Sequence, residues 1–249
     1  MVESKVGKGR RKRMEEVQLK DAAERLEGSP PGVILEWAVE NFHPRLALTC
    51  SFGAEDIVLA HLLKQIQPDA RIYFINTGLH FSDTLETRDI FTRRYGINLE
   101  EFRPSMSLAD QDAVHGERLY ERDSDRCCAI RKVEPLRRAL AGLDGWITGL
   151  RRDQAPTRKN IKVVEGHRVG DDRLIAKINP LAAWNEREVW DYIRLHGIPY
   201  NRLFDQSYLS IGCAPCTRPV QPGEDPRSGR WAGKEKTECG LHTFTKKTG

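Results

Sequence analysis

The sequence contains no long apolar run, and that absence argues against an integral membrane protein. No stretch of its 249 residues approaches the roughly 20 apolar residues that a membrane-spanning helix needs. Residues 1–14 are basic but hold no apolar core segment, so we do not expect them to form a secretory signal. We therefore expect a cytoplasmic protein with no membrane partner. In such a reducing compartment, six cysteines indicate free thiols or metal ligands rather than disulfides.

The basic run at the start of the chain lacks interleaved aromatic residues. Proteins that bind single-stranded nucleic acid stack bases on such rings, so their absence disfavours a nucleic-acid arm. We interpret residues 1–14 as a basic, disordered tail and expect no nucleic-acid partner. The net charge of +4 suits a small anionic ligand equally well. The basic residues of the tail are Lys5, Lys8, Arg10, Arg11, Lys12 and Arg13.

Internal repeats and low-complexity linkers are also absent, so nothing in the pattern divides the chain into several folded units. We expect one large domain over residues 15–220, long enough to bury a substantial core. Residues 221–249 make up the remaining segment, and its first part, up to Thr237, is rich in glycine, proline and charge. That composition predicts a flexible C-terminal segment.

Short apolar runs alternate with helical periodicities along the chain. Apolar residues at three- and four-residue steps predict two helices within 15–42, and Ser82 or Asp83 is expected to cap a later helix that Gly96 ends. This alternation predicts an α/β fold with a mostly parallel sheet covered by helices on both faces. The predicted buried strands are 46–50, 71–76, 97–102 and 145–149, followed by a hairpin within 161–178 and a helix from Asn185 to about His196.

Three turns follow the predicted strands, at Ser51, Gly78 and Gly149. Because ligands of such sheets bind beyond the carboxyl ends of the strands, we expect one pocket there. Ser51, Phe52 and Gly53 form a strand-to-helix turn of the kind that directs backbone N–H groups at an anion. The turn lacks a Walker lysine and the glycine fingerprint of dinucleotide folds, so an ordinary turn fits equally well.

Three arginines follow the last of these turns. Arg151, Arg152 and Arg158 lie beside the expected pocket, and guanidinium groups match phosphate oxygens. We therefore include them among the candidate substrate-binding residues. A solvated basic loop is the alternative.

Two cysteine pairs predict a metal centre. Thiolates in a set of four bind zinc or an iron–sulfur cluster, and both remain open. The adjacency of Cys127 and Cys128 favours a [4Fe–4S] cluster, because neighbouring residues reach separate iron corners more easily than one zinc ion. Cys213 and Cys216 complete the set.

Cys239 is a separate thiol near the end of the chain, between Glu238 and Gly240. Nearby basic residues favour the thiolate form. We expect a nucleophile that attacks in the pocket and is then presented to another protein; an exposed, unused thiol is the alternative.

Taken together, these motifs resemble those of the assimilatory adenylyl-sulfate (APS) and phosphoadenylyl-sulfate (PAPS) reductases. The resemblance covers roughly residues 45–242. The matching motifs occur in the same order as in the family. They are the Ser51–Asp56 turn, Cys127-Cys128, residues 130–136, 148–154, 179–181, 198–201 and 210–218, and the motif Glu238-Cys239-Gly240-Leu241-His242.

The resemblance implies an adenine-nucleotide alpha-hydrolase (PP-loop) fold and a thioredoxin-dependent reductase of sulfate assimilation and cysteine biosynthesis. Cys239 would attack the sulfur of the sulfate group and leave an S-sulfonate that thioredoxin, or a similar dithiol donor, reduces to sulfite. Lys132, Arg227 and Arg230 would contact the phosphosulfate, and the Ser51–Asp56 turn would contact the phosphate region of the nucleotide. The four paired cysteines would hold a [4Fe–4S] cluster.

The cysteine pairs also suggest the substrate, since members of this family that have both pairs usually take APS. The alternatives are a PAPS reductase and an enzyme that accepts both nucleotides. Assembly into a homo-oligomer also remains an open alternative. Two remoter alternatives are a PP-loop ATP-splitting ligase or thiolase and a zinc module that binds nucleic acid. The Ser51–Asp56 turn matches the loop of the ligases poorly.

Overall fold

The computed structural model describes residues 14–234, 236, 238, 240, 241 and 245–248. The predictions for the basic tail, apart from Met14, and for Cys239 itself lie outside the described residues. Among those that are described, no helix has the length and apolar character needed to cross a membrane.

Nine α-helices cover the described part of the chain. Those that flank the early strands are the longest, and the helices between Leu108 and Leu140 are short. The bounds are α1 Glu16–Leu26, α2 Pro31–Phe42, α3 Ala54–Ile66, α4 Ser82–Tyr95, α5 Leu108–His115, α6 Leu119–Arg122, α7 Ser124–Cys128, α8 Glu134–Leu140 and α9 Glu186–Leu195.

The described strands form one sheet in the order β3-β2-β1-β4-β6-β5-β7. The first five in this order run parallel, and β5 pairs antiparallel with both β6 and β7. The α/β fold with a mostly parallel sheet is thereby confirmed. The bounds are β1 Leu46–Thr49, β2 Arg71–Ile75, β3 Asn98–Phe102, β4 Gly145–Ile147, β5 Val164–Val169, β6 Arg173–Ile178 and β7 Lys246–Lys247.

Alternate residues of the central strands are buried on opposite faces of the sheet. Leu48 of β1 joins the apolar cluster beneath α1, α2, α3 and α9, whereas Ala47 joins a second cluster that includes Leu136 of α8. Trp146 of β4 faces this second cluster and Ile147 faces the first. The period of two along a strand produces this division, and it confirms the helical cover on both faces.

The ends of α4 show where local signals succeed and fail. Gly96 ends the helix in the left-handed conformation, with φ of 55°, as predicted. The prediction of Ser82 or Asp83 as the N-cap is wrong, because Phe81 occupies that position. Ser82 is already helical, and its hydroxyl donates to Asp83 at 3.3 Å instead of capping a backbone N–H.

One turn of π-helix, Ala129–Val133, follows Cys128 directly and leads into α8. The sequence analysis predicted no secondary structure for this region. π-Helical turns are rare and often accompany functional sites. The wider turn places both Arg131 and Lys132 among the buried residues.

Candidate active site

A cavity of about 510 Å³ lies beyond the carboxyl ends of the central parallel strands. Its floor includes Thr49 of β1, Ile75 of β2 and Trp146 of β4. From β1 the chain builds the sheet in one direction, through β2 and β3, and then crosses back to add β4 on the opposite side of β1. The order of the strands therefore reverses between β1 and β4, which makes this position the topological switch point of the sheet. Ligand crevices of open α/β sheets occur at such points. The cavity therefore lies where the order of the strands predicts a ligand.

The Ser51 turn is held by Asp56. The Ser51 backbone N–H and hydroxyl both donate to Asp56 Oδ2, at 2.6 and 2.7 Å. Burial raises the pKa of the Asp56 carboxyl to about 6, although these two hydrogen bonds act in the opposite direction. Gly149 approaches so closely that a Cβ there would lie 2.4 Å from Asp56 Oδ1. The turn thus carries an acidic group of its own, which the sequence pattern did not single out.

The three residues predicted at this turn separate in the structure. Ser51 and Gly53 line the cavity. Phe52 is buried in the core, where its ring packs edge-on against Phe74 and Phe91 at 5.6 and 6.1 Å between centroids. Its side chain does not line the cavity, so any role in binding falls to its backbone.

The loop after β4 places its arginines in different surroundings. Arg151 is buried and its Nε donates to Glu55 Oε1 at 2.9 Å, while a second bond reaches Asp153. Arg152 forms a two-pronged ion pair with Glu27, at 2.7 and 2.8 Å. Both line the cavity, but each guanidinium group is engaged by acidic residues of the scaffold.

Arg158 and Arg227 instead converge on one carboxylate from the C-terminal segment. Arg158 donates through Nε and Nη2 to Glu238, both at 2.8 Å, and Arg227 Nη2 donates to Glu238 Oε2 at 3.0 Å. The Thr157 hydroxyl donates to Glu238 Oε1 at 3.1 Å. Burial opposes ionisation of Glu238, but the arginines outweigh it and lower the pKa of this carboxyl. Both arginines line the cavity, so it contains a strong anion site.

The two cysteine pairs meet beside the cavity. Cys127, Cys128 and Cys213 are buried, Cys216 is partly buried, and all four are free thiols. Burial and, to a smaller extent, the nearby Cys128, Cys213 and Cys216 thiols raise the pKa of the Cys127 thiol to about 12. Among the described residues, no three His, Cys, Asp or Glu side chains are arranged to hold a single metal ion. The structure therefore brings the four predicted cysteines to one place beside the cavity.

Thr77, just after β2, connects both pairs. Its hydroxyl lies 3.4 Å from Cys213 Sγ, and its carbonyl oxygen accepts a hydrogen bond from Arg131 Nε at 2.7 Å. The backbone N–H of Ala214 donates to the carbonyl of Leu79 at 2.7 Å. The loop after β2 thus holds the π-helical turn on one side and the Cys213–Cys216 turn on the other.

Basic side chains lie between the cysteines and the cavity. Lys132 lines the cavity and its charge also acts on the Cys127 and Cys216 thiols. Arg230 lines the cavity too, and its guanidinium group stacks over Trp231 at 4.6 Å from the ring centroid. Within the described part of the chain, Arg230 Nε and Trp231 Nε1 are buried without a hydrogen-bond partner. Trp231 is held next to Cys216 by a backbone hydrogen bond of 2.9 Å.

Sequence reasoning missed several residues that shape this site. Thr77 and Asp56 follow predicted strands, so the strand-end rule could have indicated them. Glu238 precedes Cys239 directly, but nothing in the sequence pairs it with arginines 80 and 11 positions away. Glu55, which neutralises Arg151, gave no signal either.

The sheet order and the cationic cavity define a class of α/β protein that binds an anionic ligand beyond its strand ends. Residues 45–219 match the family model described as the phosphoadenosine phosphosulfate reductase domain, and the chain belongs to this family of oxidoreductases. The resemblance to the APS and PAPS reductases is confirmed, and so is the PP-loop type of fold.

Individual relatives agree with the family but differ in name. A phosphoadenosine 5'-phosphosulfate reductase of Gloeobacter violaceus is 47% identical, over 92% of this chain and 95% of the relative. Adenosine 5'-phosphosulfate reductase 2 of Bacillus subtilis is 46% identical, over 84% and 88%. The crystal structure of a PAPS reductase from Candida auris in complex with phosphate superposes with a TM-score of 0.72 at 30% identity, covering 82% of this chain and 98% of that one.

Proposed function

We propose that this protein reduces APS to sulfite and AMP in the cytoplasm, with thioredoxin or a similar dithiol protein as electron donor. The observation that carries the proposal is one cavity lined by Lys132, Arg158, Arg227 and Arg230 beyond the ends of β1 and β4. A phosphosulfate is a compact polyanion, and such a cationic cavity complements it. The names of the relatives supply the substrate class.

The proposed nucleophile is Cys239. Its thiolate attacks the sulfur of the sulfate group, the bond from that sulfur to the bridging phosphate oxygen breaks, and AMP leaves with the electron pair. A thiolate of the donor then attacks the sulfur of Cys239 and releases sulfite. The second donor thiol closes the donor's disulfide, so the two electrons of the dithiol reduce the sulfate sulfur. Support comes from the neighbours of Cys239, since Glu238 contacts Arg158 and Leu241 lines the cavity.

The cationic residues would make this attack possible. A thiolate and a phosphosulfate repel each other, and that repulsion is strong in a site that excludes water. Lys132, Arg158, Arg227 and Arg230 offset the negative charge where the anion must sit. Fixed donors of this kind also stabilise the charge that moves onto the leaving phosphate oxygen.

We further propose that Cys127, Cys128, Cys213 and Cys216 hold a [4Fe–4S] cluster. The donor set fits, because the four thiols are free and lie close enough together to act on one another's pKa. The Arg230 Nε and Trp231 Nε1 groups, which are buried without a partner among the described residues, are also consistent with a cluster. Sulfur atoms of a cluster accept hydrogen bonds from such N–H donors. When bound, the cluster would supply negative charge beside the cavity, where the cationic residues lie.

The preference for APS rests on the cysteine pairs. Identity alone does not separate the substrates, because relatives named for PAPS and for APS are 47% and 46% identical to this chain. An enzyme that accepts both nucleotides is the second candidate.

The test is sulfite release from APS and from PAPS, measured side by side with reduced thioredoxin and anaerobically purified protein. Preference for APS supports the proposal as stated. Comparable rates would establish the dual-substrate enzyme instead. No sulfite from either nucleotide, with iron and sulfide present in equal amounts at four per chain, would overturn the proposal.

A further inference from the structure

Glu238 occupies the anion site of the cavity. Its carboxylate accepts three hydrogen bonds from Arg158 and Arg227 and one from Thr157, at 2.8 to 3.1 Å. Only 15% of the Glu238 side chain is exposed, and 12% and 17% of the two arginine side chains. The contact is therefore a formed, largely desolvated ion pair rather than a surface encounter.

The donors that bind Glu238 are those that an anionic ligand of the cavity needs. Arg158 and Arg227 both line the cavity, and guanidinium forks bind carboxylate and phosphosulfate oxygens through the same N–H groups. One set of donors cannot serve two anions at full strength. A second anion brought beside the Glu238 carboxylate would also meet direct repulsion.

The segment around Glu238 has attachments on both sides of it. Before it, Lys236 pairs with Asp125 at 2.8 Å. After it, Leu241 packs on the apolar cluster under the cavity, and the Thr245 hydroxyl lies 2.6 Å from His167 Nδ1. Loss of the Glu238 contact would therefore leave the attachments at Lys236, Leu241 and Thr245 in place. Cys239 follows Glu238 directly in the sequence.

We propose that Glu238 is an internal competitor of the substrate: its carboxylate occupies Arg158 and Arg227 in the empty protein, and the phosphosulfate of the nucleotide displaces it. Substrate binding then releases Glu238, the residue before Cys239 in the sequence, from its contact with the arginines. The cost of that displacement weakens substrate binding, as for any ligand that must compete with an occupied state. This proposal rests on the function proposed above.

The decisive variant is Glu238→Gln, which keeps the size of the side chain and an oxygen for Thr157 but removes the competing charge. The dissociation constant of APS is measured by calorimetry in full-length protein carrying Cys239→Ser, so that no chemistry occurs. Glu238→Gln is expected to tighten APS binding by about tenfold or more, the scale of one charge-assisted contact. Thr157→Val, which removes one neutral hydrogen bond to Glu238, is expected to tighten it less.

Glu224→Gln is the matched control. Glu224 also lies in the C-terminal segment and pairs with Arg218 at 3.0 Å, and neither residue lines the cavity. Its loss should leave the affinity for APS unchanged. In the protein that retains Cys239, Glu238→Gln should lower KM for APS without raising kcat. If Glu238 merely anchored the segment, the substitution would instead raise KM, or it would lower kcat and leave KM unchanged.

Unchanged or weaker APS binding in Glu238→Gln would overturn the competitor proposal, and so would equal tightening in Glu224→Gln. If the wild-type protein forms sulfite from APS in that case, only this proposal fails. If no variant binds APS and the wild-type protein forms no sulfite from it, the proposed function fails, and this proposal falls with it.

Discussion

The hydroxyl of Thr77 lies 3.4 Å from the sulfur of Cys213, and this contact ties the end of β2 to the second cysteine pair. The same residue accepts a hydrogen bond from Arg131, which follows the first pair by three positions. A single strand end thus aligns two cysteine pairs that are far apart in the sequence. The relative position of the pairs depends on Thr77 as well as on the cysteines.

Thr77→Val tests that dependence. It keeps the shape of the side chain but removes the hydroxyl, so we expect a stability loss of about 1 kcal/mol. For the proposed cluster, we also expect less iron and sulfide per chain and a shifted midpoint potential, because the cysteine sulfur loses its polar neighbour. Thr92→Val is the control, since its hydroxyl donates only to Arg88 within α4, at 2.7 Å. Equal iron content and potential in both variants would remove Thr77 from the cysteine site.

Cys239→Ser tests whether Cys239 acts as the nucleophile without contributing to the site of the paired cysteines. Serine is a far weaker nucleophile than a thiolate, so sulfite formation from APS should fall to background. Iron content, the visible spectrum and nucleotide binding should match those of the wild-type protein. Loss of colour in this variant would contradict the division between Cys239 and the paired cysteines.

Lys132→Ala removes a cation that lines the cavity and also acts on the cysteine thiols. We expect kcat/KM for APS to fall about 10²- to 10³-fold, the usual cost of losing one group that stabilises developing charge. Lys20→Ala, which removes an exposed lysine of α1, should leave the kinetics unchanged. Wild-type kinetics in Lys132→Ala would place this lysine outside the reaction.

Asp56→Asn has a predictable effect on stability. Burial raises the pKa of the Asp56 carboxyl from 3.8 to about 6, so the folded protein holds this proton more tightly than the unfolded chain does. This group therefore lowers the free energy of unfolding as the pH rises from about 4 to about 6. Asp56→Asn should not show this decrease in the free energy of unfolding. At pH 7 the variant should therefore be more stable than the wild-type protein by on the order of 3 kcal/mol.

Urea unfolding at a series of pH values measures this effect. The wild-type and Asp56→Asn curves should coincide near pH 4 and separate as the pH rises. Asp171→Asn, at an exposed position in the turn between β5 and β6, should follow the wild-type curve. If the free energies of unfolding of the wild-type protein and Asp56→Asn differed by the same amount at every pH, the raised pKa of Asp56 would be refuted.

Part of this protein could be predicted from its sequence because the signals are local. The short apolar run in residues 46–50, the turn residues after the strands and the left-handed cap at Gly96 depend on near neighbours. The pairs Cys127-Cys128 and Cys213-Cys216 depend on spacing in the same way. These features determined the α/β class, the end of the sheet where the cavity lies and the cysteines of the proposed metal centre.

The tertiary structure decided which acidic residue pairs with each arginine of the cavity. Arg151, Arg152 and Arg158 look alike in the sequence, yet Glu55 and Glu27 neutralise the first two and only Arg158 meets Arg227 at a shared anion site. Phe52 shows the same limit, since the turn pattern cannot tell a side chain in the core from one in the cavity. Ion pairs and burial depend on residues that are distant in the chain and are brought together only by packing. The assignment of Glu238 to the anion site follows from that packing alone.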